Sequence, residues 1–162
     1  MTDISIVGRD LSLIEPGEYL VRYDYHETNK SAFGGKPKVY LNFIIVSKGY
    51  FGLEIFGAYN VKEITGNGSR NGGFKLTRRQ ELTRQIMSVA PQLRLDRITM
   101  AHLKDQIIRV SVRTVDTDYK KRPLPISMQY SVVDEILAIV EQSNTFDPVP
   151  ITIDQRPMTN IP

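Results

Sequence analysis

Eight Tyr and six Phe are present without any Trp, and a few of these rings occur where they could take part in binding. Tyr40 lies two residues from Lys38 and from Asn42, and Phe56 lies two residues from Glu54, so an extended chain puts each ring beside polar side chains. A flat ring on a polar face can stack on another flat group, such as a nucleobase. Two strand aromatics and two loop aromatics are therefore predicted to bind: Tyr40, Phe56, Phe33 and Tyr119. For the loop pair, an exposed ring without a ligand is an equal alternative.

Cationic side chains accompany these rings. The strongest local pattern is the run Lys120-Lys121-Arg122, which lies within a predicted hairpin loop of residues 116–125 that we call the basic loop. Lys and Arg neutralise phosphates, although each of them taken individually is more often part of an ordinary solvated surface. The predicted cationic contacts are Arg22, Lys36, Lys38, Arg109, Arg113, Lys120, Lys121 and Arg122.

The charge is distributed unevenly along the chain. Residues 17–125 hold 19 Lys and Arg against 10 Asp and Glu, whereas the two flanking segments together hold two bases and eight acids. A basic body with mildly acidic ends is typical of a polyanion-binding domain with a separate tail. A basic surface without a partner is the other interpretation, and the count alone does not separate the two.

Several functional classes find no support in the sequence. Cys is absent, which excludes disulfides and thiolate zinc sites, and His26 and His102 lack the spacing of a metal-binding motif. No phosphate-binding loop of the Gly-x-x-x-x-Gly-Lys type occurs. We therefore expect no catalysis, no metal and no cofactor. No apolar run approaches membrane-spanning length and no secretory signal is recognisable, which predicts a cytoplasmic protein without a membrane contact.

Period-two alternation of apolar and polar residues recurs along the chain and predicts strands. The apolar stripes give four aromatics a predicted core position: Tyr19, Tyr23, Phe43 and Phe51. Residues 134–142 either extend the last strand or form a short helix. The predicted strands cover residues 17–26, 38–48, 50–61, 107–115 and 126–133.

One segment has the period of an amphipathic helix. Apolar side chains fall on one stripe over residues 77–90, Thr77 with Gln80 fits a capping box, and Pro91 ends the helix. The preceding residues 65–73 hold four Gly and no aliphatic residue, which predicts a mobile loop.

The order strand, strand, strand, helix, strand, strand predicts a mainly β chain. It matches a five-stranded barrel of the oligonucleotide-binding plan, with one helix between strands 3 and 4. In that plan the face of strands 2 and 3 contacts single strands, together with the loop after strand 1 (here residues 27–37) and the basic loop. The predicted organisation is an N-terminal extension (1–15), the barrel domain (16–142) and an extended, Pro-rich flexible tail (143–162).

Four short motifs resemble a family of phage- and plasmid-encoded single-stranded-DNA-binding proteins over residues 15–135. They are Pro16-Gly17-Glu18-Tyr19, residues 36–43 (KPKVYLNF), the Gly49–Gly52 turn, and Leu95-Asp96 followed by Leu103-Lys104-Asp105. The chain differs from the well-known bacterial single-stranded-DNA-binding proteins, because it lacks Trp and an acidic tail ending in Phe.

The resemblance implies a sequence-tolerant protein that binds single-stranded DNA during replication or recombination of a phage or mobile element, with RNA as a second candidate ligand. It also implies candidate partners, namely further copies of the chain and replication or recombination proteins that contact the tail. The alternative is a protein-interaction or structural module, such as a virion or plasmid-maintenance component, without a nucleic-acid role.

Overall fold

The computed structural model describes residues 12–31, 36–91, 100–118 and 120–140. Two short strands, β4 (Glu63–Ile64) and β5 (Phe74–Lys75), pair with each other. One α-helix lies in this part of the chain, α1 (Glu81–Val89), and 3₁₀ turns cover Met100–Leu103 and Ile126–Met128. The five long strands are β1 (Gly17–Ser31), β2 (Lys36–Ile45), β3 (Glu54–Asn60), β6 (Ile107–Val115) and β7 (Tyr130–Val140).

The five long strands form one sheet that closes on itself in the order β1-β2-β3-β7-β6, with β1 paired to β6. Every pairing is antiparallel except that of β3 with β7, which runs parallel at Phe56 and Val132. α1 lies between β3 and β6 in the chain. The prediction of a mainly β chain with five principal strands and a helix after the third is therefore confirmed.

The core lies inside the closed sheet. Alternate residues of β2 point inward, and α1 contributes Leu82 and Ile86 to the same core, both buried. Burying one such side chain contributes about 1.5–3 kcal/mol. The buried Tyr59 hydroxyl donates a hydrogen bond to Gln85 Oε1 (3.0 Å), and burial raises the pKa of Tyr59 well above its usual range. This contact fixes α1 against β3.

β1 is longer than its alternation predicts. A bulge between Tyr23 and Tyr25 shifts the register, so that the polar His26 and Thr28 become buried, and the strand continues to Ser31. The predicted loop of residues 27–37 was therefore wrong for most of its length, because only residues 32–35 separate β1 from β2. The bulge hides the strand signal by putting polar residues on the inner face.

β3 begins later than predicted, at Glu54, and residues 46–53 form the connecting turn. Gly49 and Gly52 have φ angles of +100° and +90°, a conformation that reverses the chain and interrupts the alternation. The core position predicted for Phe51 was wrong, since its side chain is 63% exposed.

The last strand is displaced towards the C-terminus. Residues 126–128 form a 3₁₀ turn after Pro123 and Pro125, and β7 runs instead from Tyr130 to Val140. Residues 134–140 therefore extend the strand.

The β6 bounds match the prediction. α1 begins four residues later than predicted, although the Thr77 N–H does donate to Gln80 Oε1 (2.9 Å), one half of the predicted capping box.

Residues 12–14 belong to the packed domain. The Ser131 N–H donates to the Ser12 carbonyl and the Ile14 N–H donates to Ser131 Oγ, both at 2.8 Å, and the Ile14 side chain enters the core. The predicted tail and residues 1–11 of the predicted N-terminal extension lie outside the described residues. In the part of the chain that the structure covers, no helix is long and apolar enough to cross a membrane.

Candidate nucleic-acid interface

Three aromatic rings form a row on the outer face of the closed sheet. Tyr40 and Phe56 meet edge to face with ring centroids 6.0 Å apart, and Phe56 stacks on Tyr130 at 6.0 Å with an interplanar angle of 20°. Val132 and Val115 pack against the same rings. The outer faces of β2, β3 and β7 thus hold a second apolar cluster, separate from the core.

The predicted faces of Tyr40 and Phe56 are correct, but both rings are enclosed. Tyr40 is 0% exposed and Phe56 is 5% exposed, so neither offers an open stacking surface in this conformation. The half-buried Tyr130 is the ring of the row that reaches the surface. Tyr130 was not among the predicted binding residues, because its only predicted role was as part of the strand of residues 126–133. A binding role for Tyr40 and Phe56 stays a prediction.

Lys38 and Arg113 line one polar cleft of about 550 Å³, beside the aromatic row. Lys38 Nζ donates to Asn60 Oδ1 (2.7 Å), and Arg113 Nε donates to Asp134 Oδ1 (2.9 Å). Arg79, which lies in the predicted helix of residues 77–90 but was not a predicted contact, lines the same cleft from the turn before α1. The structure therefore brings three cations together from three segments that are distant in the sequence, and the acids Glu81 and Asp134 line the same cleft.

The basic loop is organised by its own acid. Asp118 Oδ1 accepts the backbone N–H groups of Lys120 (2.8 Å) and Arg122 (3.0 Å), and Asp118 Oδ2 accepts Arg122 Nε (2.9 Å). The Arg122 N–H and then the Lys120 N–H lower the pKa of the Asp118 carboxyl, which stays charged. Lys121 is exposed with a φ angle of +66°. Part of the cationic charge of this run is therefore neutralised within the turn.

The remaining predicted residues are dispersed. Arg22 on β1 and Arg109 on the neighbouring β6 are both exposed. Arg22 pairs with residue 107 and Arg109 pairs with residue 20. Lys36 is exposed at the start of β2. Phe33 and Tyr119 lie outside the described residues.

Residues 65–73, predicted to be a mobile loop, are bonded to β1. The Thr28 N–H donates to the Ser69 carbonyl (3.0 Å), and the Arg70 guanidinium lies 3.8 Å from the centre of the Tyr25 ring. His26 lies within hydrogen-bond distance of Tyr23 Oη through Nδ1 and of the Gly72 carbonyl through Nε2, both at 2.8 Å. The carbonyl can only accept, so Nε2 carries the proton in the neutral ring. Burial lowers the pKa of His26.

Strand directions place the loops at two opposite ends of the sheet. We define the basic end as residues 27–31, 36–38 and 60–80, which hold eight Lys and Arg and two Glu. We define the apolar end as residues 12–15, 46–53 and 116–129 without Tyr119, which hold four Lys and Arg and three acids. All five exposed large hydrophobic side chains of the described residues belong to the apolar end: Leu13, Phe51, Leu53, Ile126 and Met128.

Comparison with known proteins gave no match, whether to protein-family models, to curated proteins or to solved structures.

Proposed function

We propose that the chain is an oligonucleotide-binding barrel that binds single-stranded DNA without strong sequence preference, in replication or recombination of a phage or mobile element. The observation that carries the proposal is the outer face of β2, β3 and β7. On that face a row of aromatic rings adjoins a cleft lined by Lys38, Arg79 and Arg113.

The strand order supports the barrel assignment. A closed five-stranded sheet with a parallel pair between its third and fifth strands, and a helix after the third, follows the chain path of the oligonucleotide-binding plan. Proteins with this plan bind single strands on strands 2 and 3, which here are β2 and β3.

The chemistry of the face supports a single strand as ligand. Single-strand binding combines a cationic groove for phosphates with rings on which bases stack, each stack contributing about 1–3 kcal/mol. Tyr130 is half-buried at the surface, and Phe56 stacks on its ring and in turn packs against Tyr40. A duplex hides its base faces, so such a ring favours unpaired bases.

The test is a titration of the full chain with a labelled oligodeoxythymidine, the matching duplex and the matching RNA. We expect the single-stranded DNA to bind more tightly than the duplex, with affinity falling as salt rises, because bound phosphates release counterions. Equal affinity for single strand and duplex would contradict a preference for single strands and would indicate only general attraction between opposite charges. Absence of binding at low salt would refute it.

The second candidate is a protein-docking module, and the apolar end is the observation that favours it. Five exposed apolar side chains gathered at one end of a sheet are typical of a protein-interaction surface. Substitution of Phe51 and Ile126 by Glu separates the candidates. A docking module loses its partner with these changes, whereas the proposed DNA-binding face leaves single-strand affinity almost unchanged.

A further inference from the structure

We infer that the basic end, rather than the basic loop, is the principal surface that binds the phosphodiester backbone of the single strand. This inference rests on the proposed function, and it gives a phosphate-binding role to six cations of the basic end, all but Lys36 and Lys38, that the sequence pattern did not single out. Five of the eight cations there, Lys62, Arg70, Lys75, Arg78 and Arg79, come from the segment between β3 and α1.

The basic end is one connected surface. The Val61 N–H donates to the Pro37 carbonyl (3.2 Å), which joins the segment after β3 to the start of β2. The Lys62 N–H donates to the Lys75 carbonyl (2.9 Å) across the β4–β5 pair. The hydrogen bond from the Thr28 N–H to the Ser69 carbonyl attaches the same segment to β1. Cations that are far apart in the sequence are thus held on neighbouring backbone segments.

Much of this charge is available to a ligand. Lys36, Arg78 and Arg79 are exposed, and no ion pair within the described residues involves any of them. At the basic end Lys75 pairs with Glu63 (3.6 Å), and in the basic loop Arg122 is bound by Asp118, so a phosphate must compete with a carboxylate at either residue. The basic end has a fourfold excess of bases over acids, whereas the apolar end, which includes the basic loop, is close to neutral.

The layout fits a polymer better than a single phosphate. The cations are spread over the β1–β2 hairpin, the β4–β5 pair and the turn before α1 instead of converging on one pocket. Lys38 and Arg79 then lead into the cleft beside the aromatic row. A strand that follows this path brings its phosphates past the basic end and its bases towards Tyr130.

The test compares two triple substitutions that remove the same charge. One is Lys36→Gln with Arg78→Gln and Arg79→Gln at the basic end, and the other is Lys120→Gln with Lys121→Gln and Arg122→Gln in the basic loop. Each is titrated with labelled oligodeoxythymidine over a series of salt concentrations. We expect the basic-end variant to flatten the logarithmic salt dependence by up to about 2, since each single-strand phosphate that is no longer neutralised reduces the slope by about 0.7. The basic-loop variant should flatten it less.

Equal losses in the two variants, or a larger loss in the basic-loop variant, would overturn the inference and leave the proposed function intact. Absence of binding by the unsubstituted chain would overturn both. Should a triple variant misfold by circular dichroism, Arg79→Glu and Lys121→Glu provide the same comparison at single exposed positions. There the inference requires that Arg79→Glu costs more affinity than Lys121→Glu.

Discussion

The basic end and the apolar end both consist of strand ends and the segments that connect them, at opposite ends of the same sheet. They differ in charge and in the number of exposed apolar side chains. The basic end gathers single cations from three segments, and its residues 65–73 are bonded to β1. The apolar end contains the most conspicuous basic run of the sequence, but Asp118 binds the turn that carries this run. A run of like charges in the sequence can thus be partly neutralised by a neighbouring acid, whereas at the basic end the fold gathers eight Lys and Arg against two Glu.

The largest expected effect is a difference in the free energy of unfolding between a substitution in the aromatic row and one at an exposed ring of the apolar end. Phe56→Ala should lower the free energy of unfolding by about 3–5 kcal/mol, because it empties a buried site beside Tyr40. Phe51→Ala should change it by no more than about 0.5 kcal/mol, because that ring is exposed. Urea denaturation followed by circular dichroism measures both. Similar changes in the free energy of unfolding for the two variants would contradict the difference in burial between Phe56 and Phe51.

A smaller effect is expected at two Gly residues, one at each end. Gly68 and Gly52 both have positive φ angles, so replacement by Ala strains the backbone by about 1–3 kcal/mol in either case. A Cβ at Gly68 would also lie 2.7 Å from the Thr28 carbonyl oxygen, whereas none of the neighbouring atoms lies within 4 Å at Gly52. Gly68→Ala should therefore have the lower melting temperature and the weaker binding of single-stranded DNA. A lower melting temperature for Gly52→Ala would show that residues 65–73 are not anchored to β1 in the way proposed.

The smallest expected effect is a pH dependence of the contact between β1 and residues 65–73, which His26 makes through the Gly72 carbonyl. The pKa of His26 is lowered in the folded state by burial, so the unfolded chain binds a proton more readily than the folded one. The stability that depends on neutral His26 is therefore complete above its ordinary pKa of 6.5 and is lost as the pH falls below that value. Urea midpoints measured on both sides of pH 6.5 test this. His26→Gln should remove this part of the pH dependence, and an unchanged dependence in that variant would assign it to other groups.

Much of the fold could be predicted from the sequence because alternating apolar and polar residues predict strands that bury one face in a core. β6 was predicted with its correct bounds, since Ile108, Val110 and Val112 alternate without interruption. β1 was underestimated because a bulge puts His26 and Thr28 on the inner face, and their hydrogen bonds to residues 69–72 have no local signature. The β4–β5 pair, with two residues in each strand, is too short for a period to be visible.

The candidate site was predictable only in part. Alternation placed Tyr40, Phe56 and Lys38 on the outer face correctly, but it cannot tell whether an outward ring is covered. The relation between Lys38, Arg79 and Arg113 depends on three segments meeting at one cleft, which no local pattern encodes. The neutralisation of Arg122 could have been anticipated, because Asp118 lies four residues before it in a turn.

Lysine acetylation of the unsubstituted protein shows whether a single strand lies on the basic end or on the basic loop. The reaction is run with and without oligodeoxythymidine, and the modified sites are quantified by mass spectrometry. Lys36 and Lys62 at the basic end should become protected, while Lys48, Lys120 and Lys121 at the apolar end, all exposed, should stay reactive. Protection of Lys120 and Lys121 with Lys36 and Lys62 still reactive would contradict the account.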